Sequence, residues 1–193
     1  LKQHTEGLIC MSACLSGDLP KLLLQGRRED AKAYVLMMEE MFGKGNFFIE
    51  LMDHGIPEEQ QIIPDLIALS RETGIPLVAT NDCHYLNKKD AAAQEILMCV
   101  QTGKTLEDEA RMRMETEELY VKSEQEMLRL FPGAPEAIEN AQKIAERCNV
   151  DFDFNTLHLP AFPMPTDEEP LQMLTRLCME GLKRLYPDQA DDE

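Results

Sequence analysis

Three short apolar runs, at residues 8–12, 46–52 and 76–80, alternate with segments of helical periodicity, and that alternation limits what the chain can fold into. Strand, helix, strand, helix, strand in this order is the pattern of βα units built on a parallel sheet or barrel. Between the first two runs, Ser16-Gly17-Asp18 opens a helical stretch through Leu22, Leu23 and Leu24 to Gly26. A second helix is predicted over 30–42, with Tyr34, Met37, Met38 and Met41 at apolar positions and Gly43 and Gly45 closing it. Pro57 suits the first position of a helix that runs to Thr73 and stops at Gly74. The third run, Pro76-Leu77-Val78-Ala79-Thr80, has no polar alternation, which predicts a strand covered on both faces.

Beyond Thr80 the pattern changes to helices and loops. Helices are predicted over 90–100, from Ser123 to Phe131 and over 135–148, with a short strand at Leu119-Tyr120-Val121. Ser123 and Glu126 have capping-box spacing. Ala137, Ile138, Ala141, Ile144 and Ala145 form one apolar stripe. The charged stretch 107–118 reads as an exposed loop. Prolines at 160, 163 and 165 mark an extended linker over 159–165, followed by an amphipathic helix from about 169 to 185.

The 193 residues suffice for one domain, or one domain and a tail, and carry a formal net charge of −17. Such a chain has no net counterion-release attraction for nucleic acid. Its basic clusters, Arg27-Arg28 and Lys88-Lys89, are short, although a bound divalent metal can reverse the local sign. No apolar run approaches the ~20 residues that span a bilayer. The chain starts at Leu1 without Met or a signal-peptide core and stops in Asp191-Asp192-Glu193, so both ends are expected to be cuts in a longer protein. Six cysteines without a secretory signal predict reduced thiols in a cytoplasm, with Cys99 and Cys148 as small buried hydrophobes.

Candidate chemistry gathers where the apolar runs end. Asp82 and His84 are two residues apart, so in extended backbone they point to one side and can share a metal. A loop aspartate capping the next turn beside a surface histidine explains the same triplet. Glu50 ends the second run, ahead of Asp53 and His54, and is either a metal-bridging or basic carboxylate or a charge on the rim of a strand. Cys14 follows the first run and is either a soft ligand or a buried thiol. Cys10, Cys14, Cys83 and His84 lack the paired knuckle spacing of a structural zinc site. No Ser-His-Asp triad, phosphate-binding loop, dinucleotide fingerprint or polymerase carboxylate motif is found.

Taken in order, residues 7–17 (GLICMSACLSG), 47–55 (FFIELMDHG), 76–86 (PLVATNDCHYL), 101–104 (QTGK), 120–127 (YVKSEQEM) and 144–149 (IAERCN) resemble the bacterial DNA polymerase III α-subunit family. The resemblance implies an α/β fold: part of a PHP-type distorted (β/α)7 barrel, then a helical segment and linker. It implies the later barrel over 1–105, a helical continuation over 106–155, and a linker and helix towards the polymerase palm over 156–193. It places late metal ligands of the PHP site on Cys14, Asp82 and His84, with Glu50 and His54 lining the site. In the family this site holds up to three ions, zinc or manganese, and can support a 3′–5′ proofreading exonuclease. The early ligands, an H-x-H pair, a further His and a Glu, have no counterpart here, since His4 stands alone. The palm aspartates, with their magnesium, are expected past residue 193. The remainder of the α chain, primer–template DNA and replisome subunits are the implied partners, with no membrane. The rival readings are a free-standing PHP-type phosphoesterase and a non-catalytic interaction module.

Overall fold

The computed structural model describes residues 2–164 and 167–187. The expected alternation forms a three-stranded sheet of order β1-β2-β3, with β1 at Cys10–Met11, β2 at Phe47–Leu51 and β3 at Leu77–Ala79. Both pairings are parallel, with Cys10 opposite Phe47 and Glu50 opposite Val78. β1 is shorter than the apolar run that announced it. Leu8 N–H turns back to Thr5 O at 3.1 Å, so only the end of the run lies along β2, where Ser12 N–H reaches Phe48 O at 3.1 Å.

Helix α1 (Asp18–Leu24) and α2 (Arg28–Phe42) link β1 to β2, and α3 (Pro57–Thr73) links β2 to β3. α3 begins and ends as the sequence predicts. Pro57 sits in the first turn, and Gly74 closes the helix at φ 76° with its N–H on Ser70 O at 2.8 Å. The period-2 geometry of the strands sorts their side chains between two covers. Phe47, Ile49, Leu51, Leu77 and Ala79 join the core built from α1, α2 and α3. Phe48 and Val78 belong to a second cluster with Ile144, against which Ile9, Met11 and Ala141 pack.

After β3 come a 3-10 turn at Lys88–Asp90, α4 (Ala91–Thr102), α5 (Glu124–Leu130) and α6 (Pro135–Arg147). α6 carries the Ile144 stripe onto β3, so the fully apolar third strand is indeed covered on both faces. Its Asn140 amide donates to Leu77 O at 2.8 Å, tying helix to strand. The capping box of α5 forms, with Ser123 N–H on the Glu126 carboxylate at 2.8 Å.

Three expectations need correction. The strand at 119–121 is only a single parallel bridge, Tyr85 to Tyr120, because His84 N–H and Tyr85 N–H both converge on Leu119 O instead of continuing a ladder. The 107–118 loop is not wholly exposed: the Arg111 side chain is buried against Glu95 at 2.6 Å. Cys99 is buried, but Cys148 is exposed, because α6 ends at Arg147 and the extended backbone at 148 leaves the apolar stripe. At the coarser level, the strands form an α/β fold with a small parallel sheet, as expected.

The chain divides into two compact units, Leu1–Asn149 and Val150–Glu193. In the second, α7 (Pro170–Leu185) follows an extended proline-spaced run, and Met173 is buried. Pro165 of that linker and the acidic end at 191–193 lie outside the described residues. Among the described residues, no helix is long and apolar enough to cross a membrane.

Candidate functional site

Glu50, near the C-terminal end of β2, and the loops leaving β1, β2 and β3 supply the residues singled out above, as expected where parallel strands end. After β1 the chain turns tightly. Gly17 N–H bonds Cys14 O at 2.7 Å, and a Cβ on Gly17 would stand 2.7 Å from Ser12 O, so only glycine fits. Inside this turn Ala13 adopts φ 67°, and in the loop after β3 Asp82 adopts φ 38°. Among the described residues these are the non-glycine positions with positive φ, and they sit at or next to candidate ligands.

Glu50 explains how the Ala13 turn is held. It is buried among strand ends, and its carboxylate accepts Ala13 N–H at 2.9 Å and Thr80 Oγ1–H at 2.5 Å. Its own N–H donates to Ser12 Oγ at 2.9 Å. With one carboxylate oxygen on β1's loop and the other on β3's, Glu50 braces the three strand ends. It borders a small hollow with Ala13 and Cys14 but does not line the cavity that holds Asp82 and His84.

His54 is also buried and fully engaged. Its Nε2 lies 3.1 Å from Asn81 O and its Nδ1 2.8 Å from Glu59 Oε1. A carbonyl only accepts, so Nε2 carries a proton; an ionised Glu59 then asks Nδ1 to donate as well. Burial, the largest influence, disfavours the charged ring, but the bonds to Glu59 and Asn81 outweigh it and raise the pKa above the ordinary imidazole value. In this arrangement neither ring nitrogen is free to ligate.

A cavity of about 210 Å³ is lined by Cys14, His54, Glu59, Asp82, His84, Arg113, Glu115 and Thr116, with Leu15, Ile56, Met114 and Leu119 as apolar walls. It brings the three predicted ligands to one place. Asp82 Oδ1 and His84 Nε2 are 3.5 Å apart with both side chains partly exposed, so they are neighbours facing a common space. Thiol, carboxylate and imidazole together suit a borderline transition metal. Among the described residues, however, no three His, Cys, Asp or Glu side chains converge closely enough to hold an ion, so the donor types fit while the set is incomplete. Arg113 is the exposed cation of the lining, with no carboxylate within ion-pair distance among the described residues.

Sequence reasoning missed Glu59, Asn81, Thr116 and Lys122. Asn81 and Lys122 lie inside quoted motifs, yet their role appears only once the chain folds. The Asn81 amide donates to Glu118 O at 3.1 Å and Tyr120 O at 2.6 Å, and Lys122 Nζ donates to Asn81 Oδ1 at 3.1 Å. Thr116 Oγ1–H reaches His54 O at 2.7 Å.

The PHP domain family matches residues 1–54. The chain is 45% identical over 189 residues to the DNA polymerase III subunit alpha of Borreliella burgdorferi, covering 96% of this chain and 16% of that protein. It is 47% identical over 165 residues to that of Treponema pallidum, covering 86% and 14%. It is 38% identical over 198 residues to that of Thermus aquaticus, covering 100% and 16%. The chain thus spans only 14–16% of the length of these relatives.

Proposed function

Because this chain belongs, over the stretch it covers, to the DNA polymerase III α-subunit family, we propose that its first unit is the later part of a metal-binding PHP phosphoesterase site. The observation that carries the reading is the shared cavity of Cys14, Asp82 and His84 at the ends of successive parallel strands. These three residues hold divalent metal, zinc or manganese, together with donors from elsewhere in the polypeptide. When bound, such ions supply Lewis-acid activation of a phosphodiester.

The chain's own groups have separate duties. Asp82 and His84 present ligands on one side of the loop after β3, and Cys14 presents its sulfur from the turn after β1. Glu50 keeps the Cys14 turn in register by holding Ala13 N–H. Arg113 meets a phosphate oxygen at the rim, in a chain otherwise too acidic to attract one.

On this reading the strands β1–β3 are neighbouring staves of a distorted (β/α)7 barrel over 1–105. Residues 106–155 continue it, and 156–193 lead towards the palm. The whole polypeptide works in the cytoplasm with primer–template DNA and replisome subunits. It extends primers at a magnesium-dependent palm site, and the PHP site removes mispaired 3′ nucleotides. The absence of three converging donors among the described residues favours one other reading, a PHP unit kept for protein interaction alone.

The test is manganese and zinc titration of the full-length polypeptide, with 3′-mispaired primer hydrolysis in parallel. Asp82→Ala and His84→Ala are expected to weaken metal binding at least about 10-fold and slow hydrolysis, while matched-primer extension persists. A wild-type protein that binds no metal at this cavity rejects the phosphoesterase reading and leaves the interaction module.

A further inference from the structure

We propose that Lys122 and Asn81 form a buried latch that sets the shape of the Asp82–His84 turn, making both positioning residues for the metal site; this rests on the reading above. Lys122 is unusual in its surroundings. Its side chain is only 3% exposed, though its ammonium carries a full charge that is costly to remove from water unless compensated. All its donor capacity is directed to one place. Nζ donates to Asn81 Oδ1 at 3.1 Å and to the backbone oxygen of Glu118, and pairs with Glu118 Oε2 at 3.3 Å. It also lies 4.4 Å from the centre of the Tyr120 ring, whose face attracts a cation.

Asn81 transmits this to the site. Its amide gives one proton to Glu118 O at 3.1 Å and one to Tyr120 O at 2.6 Å, while its backbone oxygen accepts from His54 Nε2 at 3.1 Å. The side chain thus pairs with the 118–120 segment as a strand would, across about 40 residues of sequence. Immediately after it, Asp82 takes the left-handed φ of 38° that a short acidic side chain tolerates. On the far side, His84 N–H is fixed to Leu119 O at 2.8 Å. Asp82 is therefore held between two anchors on the same segment, and that double hold aims Asp82 and His84 at the cavity. The polar partners of Lys122 are Asn81 and Glu118, so its hydrogen bonds act on this loop and the segment it faces. Glu118 keeps Lys88 as a second partner, so replacing Lys122 does not leave its carboxylate alone.

Lys122→Met keeps the apolar stem and removes the donors. The experiment follows amide hydrogen exchange in metal-free full-length protein together with Mn²⁺ titration. The latch predicts that the His84 amide exchanges at least about 10-fold faster and Mn²⁺ affinity falls about 10-fold. Amides of β2 and the thermal midpoint stay as in wild type, and Lys122→Arg restores both. Should Lys122→Met not fold, Asn81→Ser cuts the same bridge while keeping the Lys122–Glu118 pair, and the same local result is expected. Unchanged His84 exchange, or faster exchange spread evenly over β1–β3, overturns the proposal. If the wild type binds no Mn²⁺ the metal reading falls, while the His84 amide still decides whether the latch exists.

Discussion

His54 stands where the loops of the site meet, and its two ring nitrogens and main chain are committed to Glu59, Asn81 and Thr116. Its raised pKa means that the folded protein holds a proton more tightly than the unfolded chain does. The stability this contributes is fully present below the ordinary imidazole value of about 6.5 and is lost as pH rises through the folded value. Urea unfolding midpoints of the wild type should therefore decline as the pH is raised above about 6.5. In His54→Gln the midpoint should be lower at pH 6 and the decline flatter; an equal slope in both proteins would show that another group titrates. At this scale the sequence was informative about place and less so about role. Asp82 and His84 do lie 3.5 Å apart, but with Asp82 at a left-handed φ of 38° rather than in the extended backbone that the D-x-H spacing assumed, while Glu50 lies near the end of β2 and His54 just beyond it. Their duties were hidden because Glu50 acts through Ala13 and Thr80, 37 and 30 residues away, and His54 through Asn81, 27 away. Hydrogen-bond partners that distant leave no local pattern.

The elements were more legible, for a physical reason. α3 carries its own start and stop in Pro57 and Gly74, and α5 carries its capping box in Ser123 and Glu126, whose carboxyl is held down to about 2 by the Ser123 hydroxyl and N–H and by the Tyr120 hydroxyl. Those signals act within one turn, so they survive any tertiary arrangement. β1 and the Tyr85–Tyr120 bridge depend on what lies alongside, and there the apolar run overstated the ladder. The stripe on α6 shows what such a local pattern is for. Phe48 and Val78 project away from the main core, and without Ile144 above them the sheet would face water on that side. Ile144→Ala removes most of a buried side chain at the centre of this small cluster and should cost about 2–5 kcal/mol in denaturant unfolding. The same change at Ile138, which is only partly buried against the larger cluster, should cost less. Equal losses at the two positions would mean that α6 does not lie over β3 as described.

For the whole molecule, charge and apolar surface point in different directions. A net charge of −17 gives no general attraction for DNA, so on the proposed function a primer end would need local positive charge, which a bound metal and Arg113 would supply. The second unit has a different character. Phe152, Phe154, Leu157, Leu159 and Phe162 are largely exposed, as are Leu171 and Leu174 on α7. Exposed apolar residues in that number exceed what a small unit ordinarily shows water. By contrast, both hydrophobic clusters of the first unit are drawn from residues between Ile9 and Ile144. A chain ending at Asn149 should unfold within about 2 °C of the full 193 residues, equivalent to less than about 1 kcal/mol for a protein of this size. Its fluorescence with an apolar dye such as ANS should fall markedly, because the exposed Phe and Leu residues leave with the tail. A midpoint lowered by much more than that, or dye binding unchanged by truncation, would show that the apolar residues of 150–193 are needed by the core that carries Cys14, Asp82 and His84.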